Sequence, residues 1–249
     1  MISSYELTLQ SADGAFIPYE CAYRLYSWLL SSLPEDAGDA LHMQGTHPIS
    51  QHLRSEREGG RAVWRVSLLN EAAHGLFSDV LECTETIGLH GGALTVTGRS
   101  HSPVIEAADL IRAGRSGDSS GAALLLHTPT AFKQAGRYTP FPQERLIVQS
   151  LVRSWSLFCP EYPLDDEDAL QMLTEGLAIT DYSLRSARYR LKNAAVPGFA
   201  GRLTLSPRLS APMLELWNTL LGWAEYSGIG IKTTLGMGGV SVQRGTVRG

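Results

Sequence analysis

The sequence has few features that would cross-link the chain or place it in a membrane. No apolar run approaches the roughly 20 residues that a transmembrane helix needs, and residues 1–6 lack the basic and apolar segments of a secretory signal. Its three cysteines, Cys21, Cys83 and Cys159, are widely spaced, which is typical of a reducing compartment and not of a disulfide framework or zinc site. We therefore expect a cytoplasmic protein with no membrane partner, metal or other cofactor.

Lysine is also scarce, since 18 of the 21 basic residues are arginine, and the formal net charge is −4. An acidic average disfavours a polyanionic partner, but the charge is unevenly distributed. Residues 1–124 carry a net charge of −7, whereas residues 183–249 carry +7. Because salt screens fields beyond roughly 8–10 Å, the local charge matters more than the average. Such asymmetry, together with an excess of arginine, indicates nucleic-acid binding.

Strand and helix patterns alternate along the first half of the chain. Apolar and polar residues alternate in the strands, and proline and asparagine mark the helix starts. A polar segment, residues 35–60, separates the first helix from the next strand and contains His42, His47 and His52. The predicted strands are residues 5–9, 61–68 and 94–97, and the predicted helices are residues 18–33, 70–84 and 105–111.

Small and polar residues dominate residues 114–121, which predicts a boundary between domains of residues 1–120 and 121–249, and one long surface loop is the alternative. Beyond it we expect a strand–helix–helix–hairpin–helix order. The hairpin is predicted to turn at Val196-Pro197-Gly198 and to carry many basic residues. The predicted elements are a strand at 122–126, helices at 143–158 and 168–179, hairpin strands at 182–191 and 198–205, and a helix at 211–226.

A glycine-rich segment near the end is the most informative motif. It reads Gly228-Ile229-Gly230-Ile231-Lys232-Thr233-Thr234-Leu235-Gly236-Met237-Gly238, two Gly-apolar-Gly units separated by five residues. Glycine permits positive φ and close approach of a ligand, and successive N–H groups form a concavity for anions. The apolar residue of each unit can anchor the loop in a core. The segment therefore predicts a loop that holds a phosphate-rich ligand, and a purely structural tight loop is the alternative.

This segment, with the basic hairpin and helix before it, resembles the RAMP superfamily of CRISPR-associated proteins. The pre-crRNA processing endoribonucleases of that superfamily are the most similar group. Thr128-Pro129-Thr130, after a buried strand, is similar to the start of their second domain. The resemblance implies an α+β fold of two tandem ferredoxin-like (RAMP/RRM-like) domains. It also implies cleavage of CRISPR repeat RNA without metal, leaving 5′-hydroxyl and 2′,3′-cyclic phosphate ends. Other CRISPR effector subunits and a second copy of the chain are further candidate partners.

The resemblance further implies a catalytic histidine in the segment after the first helix. By that match His42 is the general base, Tyr26 an aligning group or acid, and His47 a second catalytic group. Metal-free cleavage needs such a base and acid, and donors for the phosphoryl oxygens. The sequence departs from the family in having no lysine before Lys133, so that His47 or Arg54 would replace a basic residue many relatives use.

Each candidate also fits a structural role. Tyr26 belongs to a helical stripe typical of a core, His42 fits a helix C-terminal dipole, and His47 fits a turn. The spacing of His42, His47 and His52 disfavours a zinc site. The rival functions are a crRNA-binding RAMP subunit that does not cut and an enzyme that binds a small nucleotide. The predicted RNA-binding residues are Gly228, Gly230, Lys232, Thr233, Thr234, Gly236 and Gly238 of the loop, and Arg185, Arg188, Arg190, Lys192 and Arg202 of the hairpin.

Overall fold

A computed structural model describes residues 1–33, 47–56, 59–117, 121–192 and 194–245. The chain divides into two compact units. The first comprises Met1–Val104 and Lys232–Gly236, and the second comprises Ile105–Ile231 and Met237–Gly249. No helix among the described residues combines the length and apolar character needed to cross a membrane.

The first unit is an antiparallel sheet with two helices. The strand order is β2-β3-β1-β5-β4. Strands β1, β2, β3 and β5 and both helices follow the ferredoxin-like β-α-β-β-α-β plan, and β4 adds a hairpin partner to β5 at the edge. The elements are β1 (Ser3–Ser11), α1 (Cys21–Ser31), β2 (Ile49–Ser55), β3 (Arg61–Leu68), α2 (Glu71–Cys83), β4 (Thr86–Leu89) and β5 (Gly92–His101).

The core of the first unit follows from the apolar spacing of its elements. Alternate residues of β1 and β3 point to one face of the sheet, where the helical stripes of α1 and α2 cover them. Asn70 begins α2 by accepting a hydrogen bond from the backbone of Ala73 at 2.9 Å. The buried core includes Leu7, Leu9, Leu25, Tyr26, Leu29, Leu53, Trp64, Val66, Phe77 and Leu81.

The second unit repeats the same plan. Its sheet has the antiparallel order β11-β6-β10-β9, in which β6, β9, β10 and β11 take the four ferredoxin-like positions. The α+β prediction of two ferredoxin-like units is therefore confirmed. The elements are α3 (Ala107–Arg115), β6 (Ala122–Thr130), β7 (Phe132–Gln134), β8 (Arg137–Thr139), α4 (Glu144–Phe158), α5 (Glu167–Glu175), β9 (Leu177–Leu191), β10 (Ala194–Pro207), α6 (Ala211–Ser227) and β11 (Val240–Arg244).

The basic hairpin is confirmed, but its turn is not at Val196-Pro197-Gly198. The strands β9 and β10 pair from Leu191 opposite Ala194 to Leu177 opposite Pro207, so the predicted turn lies inside β10. Gly198 is needed there because a Cβ atom would lie 2.5 Å from the carbonyl oxygen of Thr130 on β6. The predicted helix at 168–179 ends at Glu175, since β9 begins at Leu177.

Strand β2 lies in the segment that the sequence presented as polar. Ser50, Gln51 and His52 are all buried in it. Because buried polar residues interrupt the apolar alternation, the usual strand pattern is absent.

The division between the units falls before α3, earlier than the boundary expected at residue 120. Helix α3 packs against α6 of the second unit. Gly114 allows this packing, since a Cβ there would lie 2.7 Å from the carbonyl oxygen of Glu215. Gly114 therefore permits the packing of α3 against α6, so the segment that was predicted to link two domains contributes instead to the core of one unit.

Candidate functional site

Left-handed backbone conformations shape the glycine-rich segment. Two residues anchor it, because Ile229 is 1% exposed and Met237 is fully buried. The predicted anchoring by the apolar residue of each Gly-apolar-Gly unit is confirmed. The residues with positive φ are Gly228 (68°), Gly230 (92°), Lys232 (59°), Gly236 (103°) and Gly238 (69°).

Two of these glycines are required by close contacts inside the second unit. A Cβ atom at Gly230 would lie 2.4 Å from the carbonyl oxygen of Ala131. At Gly238 it would lie 2.1 Å from the carbonyl oxygen of Ile229. Both neighbours are backbone atoms, which cannot move aside as a flexible side chain could. These positions therefore demand glycine for the shape of the loop itself.

The middle of the segment, Lys232–Gly236, belongs to the first unit. Thr233–Leu235 form a 3₁₀ turn that packs against α1 and β2. The side-chain amide of Gln51 donates to the carbonyl oxygens of Thr234 and Ala22, both at 3.0 Å. Its oxygen accepts from the indole N–H of Trp64 at 2.8 Å. A buried, fully engaged glutamine thus holds the turn against the first helix.

The same turn presents backbone donors for an anion. Among the described residues, the backbone N–H groups of Lys232, Thr233 and Thr234 donate no hydrogen bond. All three residues are half-buried, whereas Gly228, Gly236 and Gly238 are buried. Successive N–H groups in a left-handed residue followed by a turn form a concavity that suits a phosphate oxygen. Lys232 and the two threonines therefore belong to the accessible part of the loop, together with Gly230, Ile231 and Leu235.

Two of the predicted catalytic residues, Tyr26 and His47, lie together in the first unit. Their ring centroids are 5.8 Å apart, and the rings meet edge to face at 83°. Tyr26 lies on the buried side of α1, and His47 lies just before β2. The backbone beside His47 is fixed, because the carbonyl oxygen of Pro48 accepts from the N–H of Leu69 at 2.9 Å.

Burial also sets the acidity of the tyrosine. Tyr26 is 7% exposed. Burial raises the pKa of its phenol from 10.0 to about 12. The phenol therefore stays protonated near neutral pH, so that its O–H can donate a hydrogen bond but the group cannot serve as a base. The predicted roles of aligning group or acid are both compatible with that state.

The other candidates of the first unit are placed differently. His42 lies outside the described residues, so its predicted role stays a prediction. His52 is buried within β2 opposite Arg65. Arg54, considered as a substitute for a catalytic lysine, donates to Glu6 at 2.9 Å, and Glu6 also accepts from Arg65 at 3.2 Å. Its charge is therefore offset within the sheet.

The register of the basic hairpin divides its cations between two faces. Arg185 lies opposite Ala200, and Ser183 lies opposite Arg202, so both arginines share one face. Arg188 and Arg190 alternate onto the other face. Arg202 also lies 4.0 Å from Asp181. The predicted cations, including Lys192 at the hairpin end, are exposed but do not form one continuous patch.

Gln51 and the ion pair of Arg54 with Glu6 were not predicted from the sequence. A glutamine in a polar stretch carries no signal of burial, and its partners at Ala22, Trp64 and Thr234 are distant along the chain. Within the described ranges, no group of three or more histidine, cysteine, aspartate or glutamate side chains could hold a metal ion.

Comparisons with known proteins find relatives over most of the chain. The profile of the family described as CRISPR-associated endoribonuclease Cas6 matches residues 124–240. A CRISPR-associated endoribonuclease Cas6 from Streptococcus thermophilus is 30% identical over 226 residues, covering 90% of this chain and 92% of that protein. One from Mycobacterium tuberculosis (strain CDC 1551 / Oshkosh) is 31% identical, covering 88% of this chain and 70% of that protein.

Solved structures show the same likeness over nearly the whole chain. A Cas6 product complex is 27% identical, with a TM-score of 0.79. The match covers 98% of this chain and 100% of that one. Both ferredoxin-like units therefore lie within the region of similarity.

Proposed function

Because the chain belongs to the family of CRISPR-associated endoribonucleases named Cas6, we propose that it cleaves CRISPR repeat RNA in precursor transcripts to give mature crRNA. The reaction needs no metal and leaves 5′-hydroxyl and 2′,3′-cyclic phosphate ends. The observation that carries the proposal is that two groups of functional residues belong to the first unit. It holds the Tyr26–His47 pair and also the Lys232–Gly236 turn, with its donors for a phosphate. Acid–base groups and an anion-binding turn are what such a cleavage requires.

In this mechanism a base removes the proton of the ribose 2′-hydroxyl, and the 2′-oxygen attacks the adjacent phosphorus. The bond from phosphorus to the 5′-oxygen breaks, and an acid protonates the departing oxygen. His42 is the general base that the resemblance implies, and His47 is the second acid–base group. Tyr26 orients the reacting groups as a neutral donor. The N–H groups of the turn and the ammonium of Lys232 stabilise charge on the phosphoryl oxygens.

Tyr26→Phe is expected to lower the cleavage rate by about 10- to 100-fold, the effect of losing one hydrogen bond to a charged group. Since burial raises the pKa of Tyr26 to about 12, its phenol does not titrate from about pH 5 to 8. The rate should therefore fall equally at every pH in that range. Single-turnover rates across the range measure this. A variant that loses one limb of the pH profile contradicts the role of neutral donor.

Phosphate contacts of the loop and the hairpin provide most of the affinity for RNA in this proposal. The loop contributes through Lys232 and the turn, with the glycines setting its path. The hairpin contributes Arg185, Arg188, Arg190, Lys192 and Arg202 from both faces of the β9–β10 ladder.

Lys232→Ala is expected to weaken repeat-RNA binding and to lower the slope of log affinity against log salt by about 0.7–0.9, the loss of one phosphate contact. Filter binding at several salt concentrations measures the slope. Arg112→Ala is the matched control, because Arg112 is exposed and already paired with Asp109 at 2.9 Å. An unchanged slope for Lys232→Ala would remove this residue from the phosphate contacts.

The decisive test of the proposal is incubation with a CRISPR repeat transcript in EDTA, followed by mapping of the cut ends. Cleavage within the repeat that leaves a 2′,3′-cyclic phosphate supports it. Retention of repeat RNA without cleavage would instead favour a crRNA-binding RAMP subunit. Tight binding of ATP or NAD, with no retention of repeat RNA, would favour a nucleotide-binding enzyme. Association with other effector subunits, homodimerisation and cytoplasmic location stay predictions.

A further inference from the structure

A short hairpin in the second unit has no role in the mechanism above. The strands β7 and β8 pair only with each other, with Phe132 opposite Thr139 and Lys133 opposite Tyr138 among the described residues. The tight turn between them uses positive φ at Ala135 (45°) and Gly136 (80°), as two-residue hairpin turns of this kind require. Beyond its first residue the hairpin is largely exposed, so the core does not account for its side chains.

The base of the β7–β8 hairpin is held by the glycine-rich segment and the main sheet. Ala131, the residue before β7, accepts a hydrogen bond from the N–H of Ile231 at 3.0 Å. Phe132 is 4% exposed, and its ring centroid lies 6.1 Å from that of Phe199 on β10. The base of the hairpin is therefore fixed next to Ile231, the residue before Lys232.

The exposed part of the hairpin combines positive charge with an aromatic ring. The sequence has no aspartate or glutamate between Asp118 and Glu144, so Lys133 and Arg137 have no acidic neighbour along the chain. Within the described residues, neither of them forms an ion pair. Tyr138 is 40% exposed. It shares a face with Lys133, because cross-strand partners project to the same side.

This combination matches the chemistry of an unpaired nucleic-acid strand. An aromatic ring stacks on a base of any identity, and neighbouring cations contact the phosphates on either side. A protein partner of opposite charge would satisfy the cations but would not require an exposed ring beside them. The hydrogen bond between Ile231 of the glycine-rich segment and Ala131 before the hairpin further favours the same RNA as the ligand of the hairpin.

We propose that the β7–β8 hairpin binds a single-stranded stretch of the RNA substrate, with Tyr138 stacked on an unpaired base and Lys133, on the same face, on a neighbouring phosphate. The proposal rests on the proposed function, since it assigns a second contact to the same RNA. Stacking tolerates every base, so this contact adds affinity without selecting a sequence.

The test measures binding of a repeat RNA that carries 2-aminopurine at successive unpaired positions. Stacking on Tyr138 quenches the fluorescence at one position, and Tyr138→Ala removes that quenching. The affinity falls by about 5- to 100-fold, the usual effect of losing one stacked base. Tyr138→Trp retains both the affinity and the quenching, because the larger ring also stacks.

Tyr162→Ala is the matched control, since Tyr162 is 43% exposed, close to the value for Tyr138. Its carbonyl oxygen accepts from the indole of Trp155 at 2.7 Å, and alanine keeps that bond. The control should bind RNA as the wild type does. Lys133→Ala should lower the salt slope by about 0.7, the value for one phosphate of a single strand.

The outcomes separate this proposal from the proposed function. If the wild type cuts repeat RNA while Tyr138→Ala binds as tightly as Tyr162→Ala, the hairpin contact is wrong and the endoribonuclease stands. If the wild type neither retains nor cuts repeat RNA, both proposals are overturned. Weaker binding by Tyr138→Ala with wild-type behaviour of Tyr162→Ala supports the contact.

Discussion

Replacing His47 with alanine is expected to slow cleavage of repeat RNA by about 10²–10⁴-fold, the usual contribution of one general acid–base group. The ring of His47 meets that of Tyr26 at a centroid distance of 5.8 Å, in the unit that also holds the Lys232–Gly236 turn. Alanine removes the imidazole and leaves the phosphate donors in place. The affinity for RNA should therefore change little, as single-turnover rates and filter binding together will show.

The same substitution at His42 is the parallel experiment, because the resemblance to the family assigns the general base to this residue. It should slow cleavage over the same range, about 10²–10⁴-fold. His90→Ala is the control, since His90 is an exposed histidine of the same unit in the turn between β4 and β5. Wild-type rates for the His42 and His47 variants in EDTA would remove both residues from the chemistry. A slow His42 variant with an unaffected His47 variant would leave His47 a structural role.

Alanine at Gly238 is expected to lower the free energy of unfolding by about 2–5 kcal/mol. The residue has φ of 69°, where a side chain costs about 1–2 kcal/mol. The added Cβ would also lie 2.1 Å from the carbonyl oxygen of Ile229, and overpacking of this kind costs about 1–3 kcal/mol more. That part of the backbone is itself held, because the N–H of Ile229 donates to the carbonyl oxygen of Gly238 at 2.9 Å.

Gly91→Ala separates the two contributions to that loss. Gly91 also has positive φ, 95°, but a Cβ there would meet no atom within 4 Å. Urea unfolding of both variants should show a loss near 1–2 kcal/mol for Gly91→Ala, about the cost of φ alone, and a larger one for Gly238→Ala. Equal losses would mean that the loop relaxes around the new methyl group. In that case its glycines would not be demanded by packing.

The parts of the fold that were predictable have local physical causes. The alternation in β1 and β3, the asparagine that starts α2, and the glycine pairs around Ile229 and Met237 depend on residues close together in sequence. Strand β2 was missed because it buries Ser50, Gln51 and His52, and the partners of Gln51 are distant along the chain. The turn placed at Val196-Pro197-Gly198 was wrong for a similar reason. Gly198 serves a contact with β6, on a distant strand.

The amino-acid sequence by itself determined the anchored glycine-rich loop and the identity of the chemical groups, because backbone freedom and side-chain chemistry are local properties. The two ferredoxin-like units were implied by the resemblance of its motifs to the RAMP superfamily. Only the tertiary structure decided that the rings of Tyr26 and His47 are in contact and that Gln51 holds the turn of the loop. It also decided that the cations of the basic hairpin lie on two faces. These features depend on register and on contacts between distant segments. Such contacts exist only once the sheets have formed.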